Sequence, residues 1–111
     1  MERMERFILI AMCFFCLSSF KASYYSDAFH GRKTASGIIY DKNKLTCASN
    51  IHKLGTKLKV TNTQNNKSVI VTVTDRGGFS KVTIDLSKKA FSTIADLKHG
   101  IINVNIEVCT N

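Results

Sequence analysis

The sequence predicts a mainly β fold, a small closed barrel that carries one short helix. Segments at residues 57–61, 68–74 and 101–108 alternate between polar and apolar side chains, as strands do. One segment, after Ser87, repeats apolar side chains at helical spacing instead. The 111 residues amount to one domain, and several short strands with one small helix favour a closed barrel over a sandwich.

The two central alternating segments predict a hairpin. Both the segment 57–61 (KLKVT) and the segment 68–74 (SVIVTVT) are rich in β-branched residues, which strands favour. The polar stretch 62–67 (NTQNNK) between them is a turn in which an asparagine can adopt the left-handed conformation. A shorter strand is predicted at 82–84 and a final one at 101–108. The final strand has an apolar face made of Ile102, Val104, Ile106 and Val108.

The helix is predicted to begin after Ser87, whose side chain is its N-cap. Residues 98–100 (KHG) are predicted to end it, and tight turns are predicted at 36–37 and 77–78. The apolar residues at helical spacing are Ala90, Phe91, Ile94 and Ala95.

Residues 1–19 are predicted to be a secretory signal peptide. Two arginines precede an apolar run at 7–17, and two serines follow it. The run is too short for a comfortable membrane span, so an uncleaved anchor is the less favoured reading. A lipid anchor through Cys13 or Cys16 is also less favoured, because neither cysteine follows a small residue. Residues 20–111 are predicted to form the single domain, exported to the bacterial periplasm or cell envelope.

The charge balance restricts the partners that the chain attracts. The first 19 residues hold two basic and two acidic residues, which leaves 14 basic and 6 acidic residues and a net charge of +8. Such a charge attracts polyanions, although it also serves solubility alone. Export argues against nucleic acid and points to an anionic cell-wall polymer or a membrane surface. The domain is predicted to be a monomer without a cofactor.

Two cysteines remain outside the signal peptide, Cys47 and Cys109. An even number in an exported protein permits one disulfide, and we predict this pair. The bond would close a loop of about 60 residues and stabilise the fold by roughly 4 kcal/mol. Two buried free thiols are the alternative. No Cys/His spacing indicates a metal site, so none is predicted.

A series of short motifs, in order along the chain, resembles the rare lipoprotein A (RlpA) family. The motifs are residues 22–26 (ASYYS), 29–37 (FHGRKTASG), 46–48 (TCA), 54–56 (LGT), 60–62 (VTN), 75–77 (DRG) with Phe79, 84–87 (IDLS) and 104–108 (VNIEV). The resemblance implies a six-stranded double-psi β-barrel, which expansins and membrane-bound lytic transglycosylase A share. Family members are bacterial envelope proteins, and several cleave peptidoglycan glycan strands.

The resemblance implies that Asp85 and Asp75 are catalytic. Asp85 would protonate the glycosidic oxygen and then act as a base, while Asp75 would stabilise positive charge or raise the pKa of Asp85. Each has a structural alternative. Asp85 could cap the helix that begins near Ser87, and Asp75 could hold the turn that follows it.

Six residues are predicted to bind the substrate, a peptidoglycan glycan strand. Tyr24 and Tyr25 are adjacent, so only one of them can face the groove. Two positions depart from the family pattern. Ile38 stands where active members tend to carry glutamate, and Ser49 stands where they tend to carry histidine. These departures leave open a wall-binding or expansin-like module that does not cut. The predicted substrate-binding residues are Tyr25, Ser26, His30, Arg32, Ser49 and Arg76.

Overall fold

The structure, a computed structural model, describes residues 20–79 and 81–110. The predicted signal peptide, residues 1–19, lies outside the described residues. Within the described ranges, no helix is both long enough and apolar enough to cross a membrane.

Six strands close into one barrel. Its pairing order is β1-β5-β2-β4-β3-β6, with parallel pairing between β1 and β5 and between β2 and β4. The other neighbouring strands pair antiparallel. The predicted six-stranded double-psi β-barrel with one helix is therefore confirmed. The elements are β1 Phe20–Tyr24, β2 Thr46–Ser49, β3 Lys57–Asn62, β4 Ser68–Asp75, β5 Ile84–Leu86, α1 Lys88–Ile94 and β6 Ile102–Val108.

The predicted hairpin between β3 and β4 is present. Its register runs from the pair Lys57 and Thr72 to the pair Thr61 and Ser68. Asn66 takes the left-handed conformation in the turn, with φ at 62°. Alternate residues of both strands point into the barrel, which is why the sequence shows a period of two.

The strand predicted at 82–84 is shifted in the structure. β5 begins at Ile84 and ends at Leu86, because only these three residues pair with both β1 and β2. Ile84 and Leu86 are buried in the core, so Asp85 between them faces the outside of the barrel. β2 has only four residues, too few for its alternation to be recognised in the sequence.

Helix α1 covers one side of the barrel. It packs against β1, β4 and β5, and Phe91 is fully buried. Burial of a phenylalanine of this kind stabilises a fold by about 2–3 kcal/mol. The ring of Phe91 lies 4.7 Å from the ring of Tyr24, centroid to centroid. Tyr24 therefore belongs to the core packing.

The helix has the predicted N-cap but ends earlier than predicted. The Ser87 hydroxyl accepts a hydrogen bond from the Ala90 amide at 3.2 Å. The last helical residue is Ile94, whose carbonyl accepts side-chain amides from Asn62 at 2.8 Å and Asn65 at 3.0 Å. These two long-range contacts supply hydrogen-bond donors for the last carbonyl of the helix. The KHG stretch belongs instead to a separate 3₁₀ turn, Leu97–His99.

The predicted disulfide is wrong. Both cysteines are free thiols in the structure, and Cys47 is completely buried in the core. Cys47 lies on β2, whereas Cys109 directly follows β6. These two strands occupy opposite positions in the closed ring, so the cysteines sit on opposite walls of the barrel. A disulfide needs Cα atoms within about 7 Å of each other.

Free-thiol labelling tests this correction. Protein unfolded without a reductant should react with about two equivalents of a thiol reagent from these positions. In the folded state Cys47 should react far more slowly than Cys109, because it is buried and burial raises the pKa of its thiol to about 12. If neither Cys47 nor Cys109 reacted in the unfolded, unreduced chain, the disulfide prediction would be correct after all.

The Ser87 hydroxyl is expected to contribute strongly to stability. It also donates a hydrogen bond to the Lys44 carbonyl at 2.6 Å, and the residue is fully buried. Ser87→Ala should lower the free energy of unfolding by about 1–3 kcal/mol in urea denaturation. Ser92→Ala is the matched control on an exposed helix position and should change stability by less than about 0.5 kcal/mol. Equal effects would show that the cap contributes nothing special.

Candidate active site

The two aspartates lie on the outer face of three neighbouring strands, β5, β2 and β4. Ala48 on the middle strand is the register partner of Asp85 on one side and of Asp75 on the other. Its methyl group leaves space between the two carboxyl groups. That space is a groove of about 310 Å³, called the carboxylate groove below. It is lined by Tyr25, Phe29, Ala48, Asp75, Arg76, Gly77, Gly78, Phe79 and Asp85.

Asp75 is held by three hydrogen-bond donors. The Tyr25 hydroxyl donates to Oδ2 at 2.7 Å. The amides of Ala35 and Arg76 donate to Oδ1 at 2.8 and 2.9 Å. The group therefore acts purely as an acceptor, which is the role of a carboxylate, and its orientation is fixed. Asp75 also has the turn-holding role considered from the sequence, because one of the three donors is the amide of Arg76, the next residue in the chain.

Asp85 has a different environment. Burial raises its pKa from the usual 3.8 to about 6. The Ser23 hydroxyl, which donates to Asp85 Oδ1 at 2.9 Å, acts in the opposite direction, and the charge of Asp75 raises the pKa further. The helix cap is supplied by Ser87, so Asp85 does not have the capping role. A carboxyl group with this pKa can give and regain a proton near neutral pH.

Aromatic rings form one wall of the groove. Tyr25 and Tyr40 stack with centroids 4.2 Å apart, and the edge of Phe29 meets Tyr25 at 5.8 Å. Burial and the bond to Asp75 raise the pKa of Tyr25 well above its usual range, so its hydroxyl remains a donor. Phe79 folds back over Gly77, where a side chain at position 77 would collide with its ring. A larger residue at position 77 would therefore require the Phe79 ring to move.

Three predicted binding residues lie at or beyond the rim of this wall. Ser26 is exposed and caps the 3₁₀ turn Asp27–Phe29, accepting from the Ala28 amide. His30 is exposed, and its Nδ1 accepts from the Lys42 amide at 3.1 Å. The guanidinium of Arg32 lies 5.9 Å from the centroid of the Phe29 ring. The groove lining includes none of the three.

Ser49 and Arg76 hold the neighbouring loop together. Ser49 is buried, and its hydroxyl accepts the amides of Ile51 and His52 at 3.1 and 3.2 Å. Arg76 Nη1 donates to the carbonyls of Ser49 and His52 at 2.6 and 2.8 Å. The Ser49 hydroxyl is thus used inside the protein and does not reach the groove. Arg76 lines the groove, although its guanidinium is directed at the loop.

Sequence reasoning missed Ser23 and Ala48. Ser23 lies two residues before Tyr25, and side chains two apart in a strand share a face. That alternation could have indicated Ser23 as a partner for a groove residue. Ala48 carries no chemical signal at all, since its role is to be small between two carboxyl groups.

A larger cavity, of about 390 Å³, lies at the opposite end of the barrel. It is lined by polar residues around Asn62 and Asp96 and contains no pair of carboxyl groups. The chemistry of its two carboxyl groups makes the carboxylate groove the candidate active site. Among the described residues, no three His, Cys, Asp or Glu side chains are grouped so as to hold a metal ion.

The raised pKa of Asp85 makes stability depend on pH. The folded protein keeps this proton up to about pH 6, whereas the unfolded chain loses it near 3.8, so Asp85 lowers stability as pH rises between these values. Asp85→Asn should remove that loss and stabilise the protein by about 1–2 kcal/mol at pH 7, with little effect near pH 4. Urea denaturation across this range measures it. Glu107→Gln, an acidic control at an exposed position on β6, should leave the wild-type slope, and a slope unchanged in Asp85→Asn would contradict the assignment.

Comparison with known proteins identifies the family. The lytic transglycolase family model matches residues 18–106. The endolytic peptidoglycan transglycosylase RlpA of Rickettsia bellii is 48% identical over 90 residues, which cover 78% of this chain and 40% of that protein. The corresponding protein of Campylobacter jejuni is 47% identical over 88 residues, covering 78% and 32%. The chain thus spans less than half the length of these curated relatives.

Solved structures show the same fold. The Streptomyces papain inhibitor has a TM-score of 0.68 at 24% identity, covering 83% of this chain and 93% of its own. The Clavibacter michiganensis expansin in complex with cellohexaose has a TM-score of 0.67 at 21% identity, covering 84% and 50%. Because the family model matches most of its length, the chain belongs to the lytic transglycolase family of double-psi β-barrels, in agreement with the RlpA-like motifs of its sequence.

Proposed function

We propose that this protein is an endolytic lytic transglycosylase that cleaves peptidoglycan glycan strands. The observation that carries the proposal is the carboxylate groove, in which two aspartates share one opening but have unlike environments. Relatives that carry the name endolytic peptidoglycan transglycosylase support the substrate class. Export to the cell envelope is part of the proposal, because peptidoglycan is found there.

Asp85 is the proton donor in the proposed reaction. It protonates the oxygen that links N-acetylmuramic acid to N-acetylglucosamine, and the bond to the anomeric carbon breaks. The ionised group then takes a proton from the muramic 6-hydroxyl as that oxygen attacks the anomeric carbon. The product is a 1,6-anhydro sugar, and no water is consumed. A pKa near 6 suits one group for both transfers.

Asp75 supplies a fixed negative charge. Positive charge develops at the sugar ring in the transition state of glycoside cleavage. Because three donors hold Asp75, its carboxylate can face that charge without reorganising. The attack is intramolecular, so much of the entropic barrier is met by the substrate itself. The exposed ring of Phe29 offers an apolar surface to the sugars.

A glycan-binding module that does not cut is the second candidate. Ile38 is 57% exposed and has no titratable group, and the Ser49 hydroxyl is used in its own turn. The positions at which active relatives tend to carry glutamate and histidine therefore supply no proton-transfer group to the groove. Binding without cleavage is the outcome that this candidate predicts.

Cleavage of purified strands decides between the two candidates. Wild-type protein should release fragments with 1,6-anhydro ends, detected by mass spectrometry. Asp85→Asn should lower the rate by about 10²–10⁴-fold because proton transfer is lost. Asp75→Asn should lower it by about 10²-fold because only charge stabilisation is lost. The wild-type rate should fall as pH rises above about 6, where Asp85 loses its proton.

The variant Glu107→Gln, at an exposed position on β6, is the control and should cleave at the wild-type rate. Folded wild-type protein that binds strands but forms no anhydro ends would reject the enzyme and favour the binding module. Cleavage that survives in Asp85→Asn would reject the assigned acid.

A further inference from the structure

The two oxygens of the Asp85 carboxyl group have different partners. Ser23 on β1 and Asp85 on β5 are register partners, so their side chains lie side by side on the outer face of the barrel. The Ser23 hydroxyl donates to Asp85 Oδ1 at 2.9 Å, and Asp85 Oδ2 accepts no hydrogen bond from any residue in the described ranges. The lining of the carboxylate groove includes Asp85 but not Ser23. One oxygen is thus engaged at the barrel wall, and the other is left for a substrate.

The strand β1 fixes the position of the Ser23 hydroxyl. This strand has a neighbour on each side, because it pairs with β5 and with β6. Ala22 is fully buried in the core, and the ring of Tyr24 packs against Phe91. The residues before and after Ser23 therefore anchor the strand, and its hydroxyl is presented to Asp85 at a constant place.

A donor at Oδ1 decides which oxygen of Asp85 carries the proton. A protonated carboxyl group has one hydroxyl oxygen and one carbonyl oxygen, and the carbonyl oxygen is the better acceptor. The bond from Ser23 therefore favours Oδ1 as the carbonyl oxygen and leaves the proton on Oδ2. Once the proton has been given up, the same bond stabilises the ionised group, because hydrogen bonds to charged acceptors are the stronger ones.

The other groups around Asp85 do not replace this contact. Burial and the negative charge of Asp75 both raise the pKa of Asp85, whereas the Ser23 hydroxyl lowers it. Arg76 lines the groove, but its guanidinium donates to carbonyls of the neighbouring loop. Three further titratable groups interact with the Asp85 charge, and their raised pKa values keep them neutral near pH 7. These groups are Tyr25, Tyr40 and Cys47.

We propose that Ser23 is a positioning residue for the proposed reaction, whose hydroxyl holds Asp85 Oδ1 so that Oδ2 gives the proton to the glycosidic oxygen and then takes one back. The inference rests on the proposed function and adds a residue to its machinery. Ser23 does not touch the substrate, because it lies outside the groove lining. It acts through Asp85, by orienting the carboxyl group and by keeping its ionised form accessible for the second proton transfer.

Titration of the Asp85 carboxyl carbon by carbon-13 NMR tests the contact without any substrate. The resonance is identified by its loss in Asp85→Asn. Ser23→Ala should move the titration midpoint upward by about one pH unit, because the ionised form loses its donor. Ser23→Thr keeps a hydroxyl and should keep the wild-type midpoint. Ser23→Cys has a similar shape but a weak donor, so its midpoint should lie between those of wild type and Ser23→Ala.

Cleavage of stripped strands measures the effect on the reaction. Ser23→Ala should lower kcat by about tenfold and leave KM within about twofold, because orientation is lost but no substrate contact is. The falling limb of its pH profile should move upward together with the NMR midpoint. Ser23→Thr should restore both the rate and the limb. A raised KM with unchanged kcat in Ser23→Ala would assign Ser23 to substrate binding and overturn the proposal.

Ser68→Ala is the matched control. It removes a hydroxyl from an exposed position on β4, where Ser68 and Thr61 share a hydrogen bond of 2.9 Å. It should keep the wild-type midpoint, kcat and KM.

Three outcomes overturn the proposal. An unchanged midpoint in Ser23→Ala, with continued cleavage by wild-type protein, overturns this inference alone. A Ser23→Cys midpoint equal to that of wild type would reduce the role of Ser23 to packing. Wild-type protein that cleaves no strand overturns the proposed function and the part of Ser23 in it, even where the midpoint shifts in Ser23→Ala.

Discussion

The geometry of the candidate active site depends on an offset in the pairing of β2 with β4. Cys47 pairs with Val73, but the next residue, Ala48, pairs with Asp75, so Thr74 is passed over. Thr74 is buried beside Val73. Strict alternation along β4 would instead turn Asp75 toward the core, where an unpaired carboxylate is costly. The bulge returns Asp75 to the outer face, on the same side of the barrel as the carboxyl group of Asp85 on β5.

The closed barrel then gives the two carboxyl groups different surroundings. Asp75 ends a strand and meets donors from three separate segments, among them Tyr25 after β1 and the amide of Ala35 in the following loop. Asp85 lies in the middle of a three-residue strand with neighbours on both sides, and among the described residues its side chain has one donor, Ser23. Two like groups with different neighbours can divide acid and electrostatic roles between them.

Features that depend on neighbours in sequence could be predicted, and features that depend on distant contacts could not. The β3–β4 hairpin and the Ser87 cap are local, and both are present. The end of α1 depends on a hydrogen bond from Asn62, about 30 residues away in the chain. The sequence-based prediction therefore ended the helix too late. The family motifs indicated Asp75 and Asp85, but the bulge that aims Asp75 and the turn that occupies Ser49 arise only from the folded backbone.

The hydrogen bonds that hold Asp75 favour one chemistry within the proposed function. The lining of the carboxylate groove includes two carboxyl groups and no histidine among the residues that the structure describes. A hydrolase would need the second carboxylate, Asp75, to activate water or to form a covalent intermediate. Both oxygens of Asp75 already accept hydrogen bonds from within the protein. In an intramolecular attack the nucleophile belongs to the substrate, so a single group that gives and regains a proton is sufficient. With Ile38 and Ser49 in place, Asp85 has the pKa for that task, and Asp75, fixed by its donors, is left to stabilise charge.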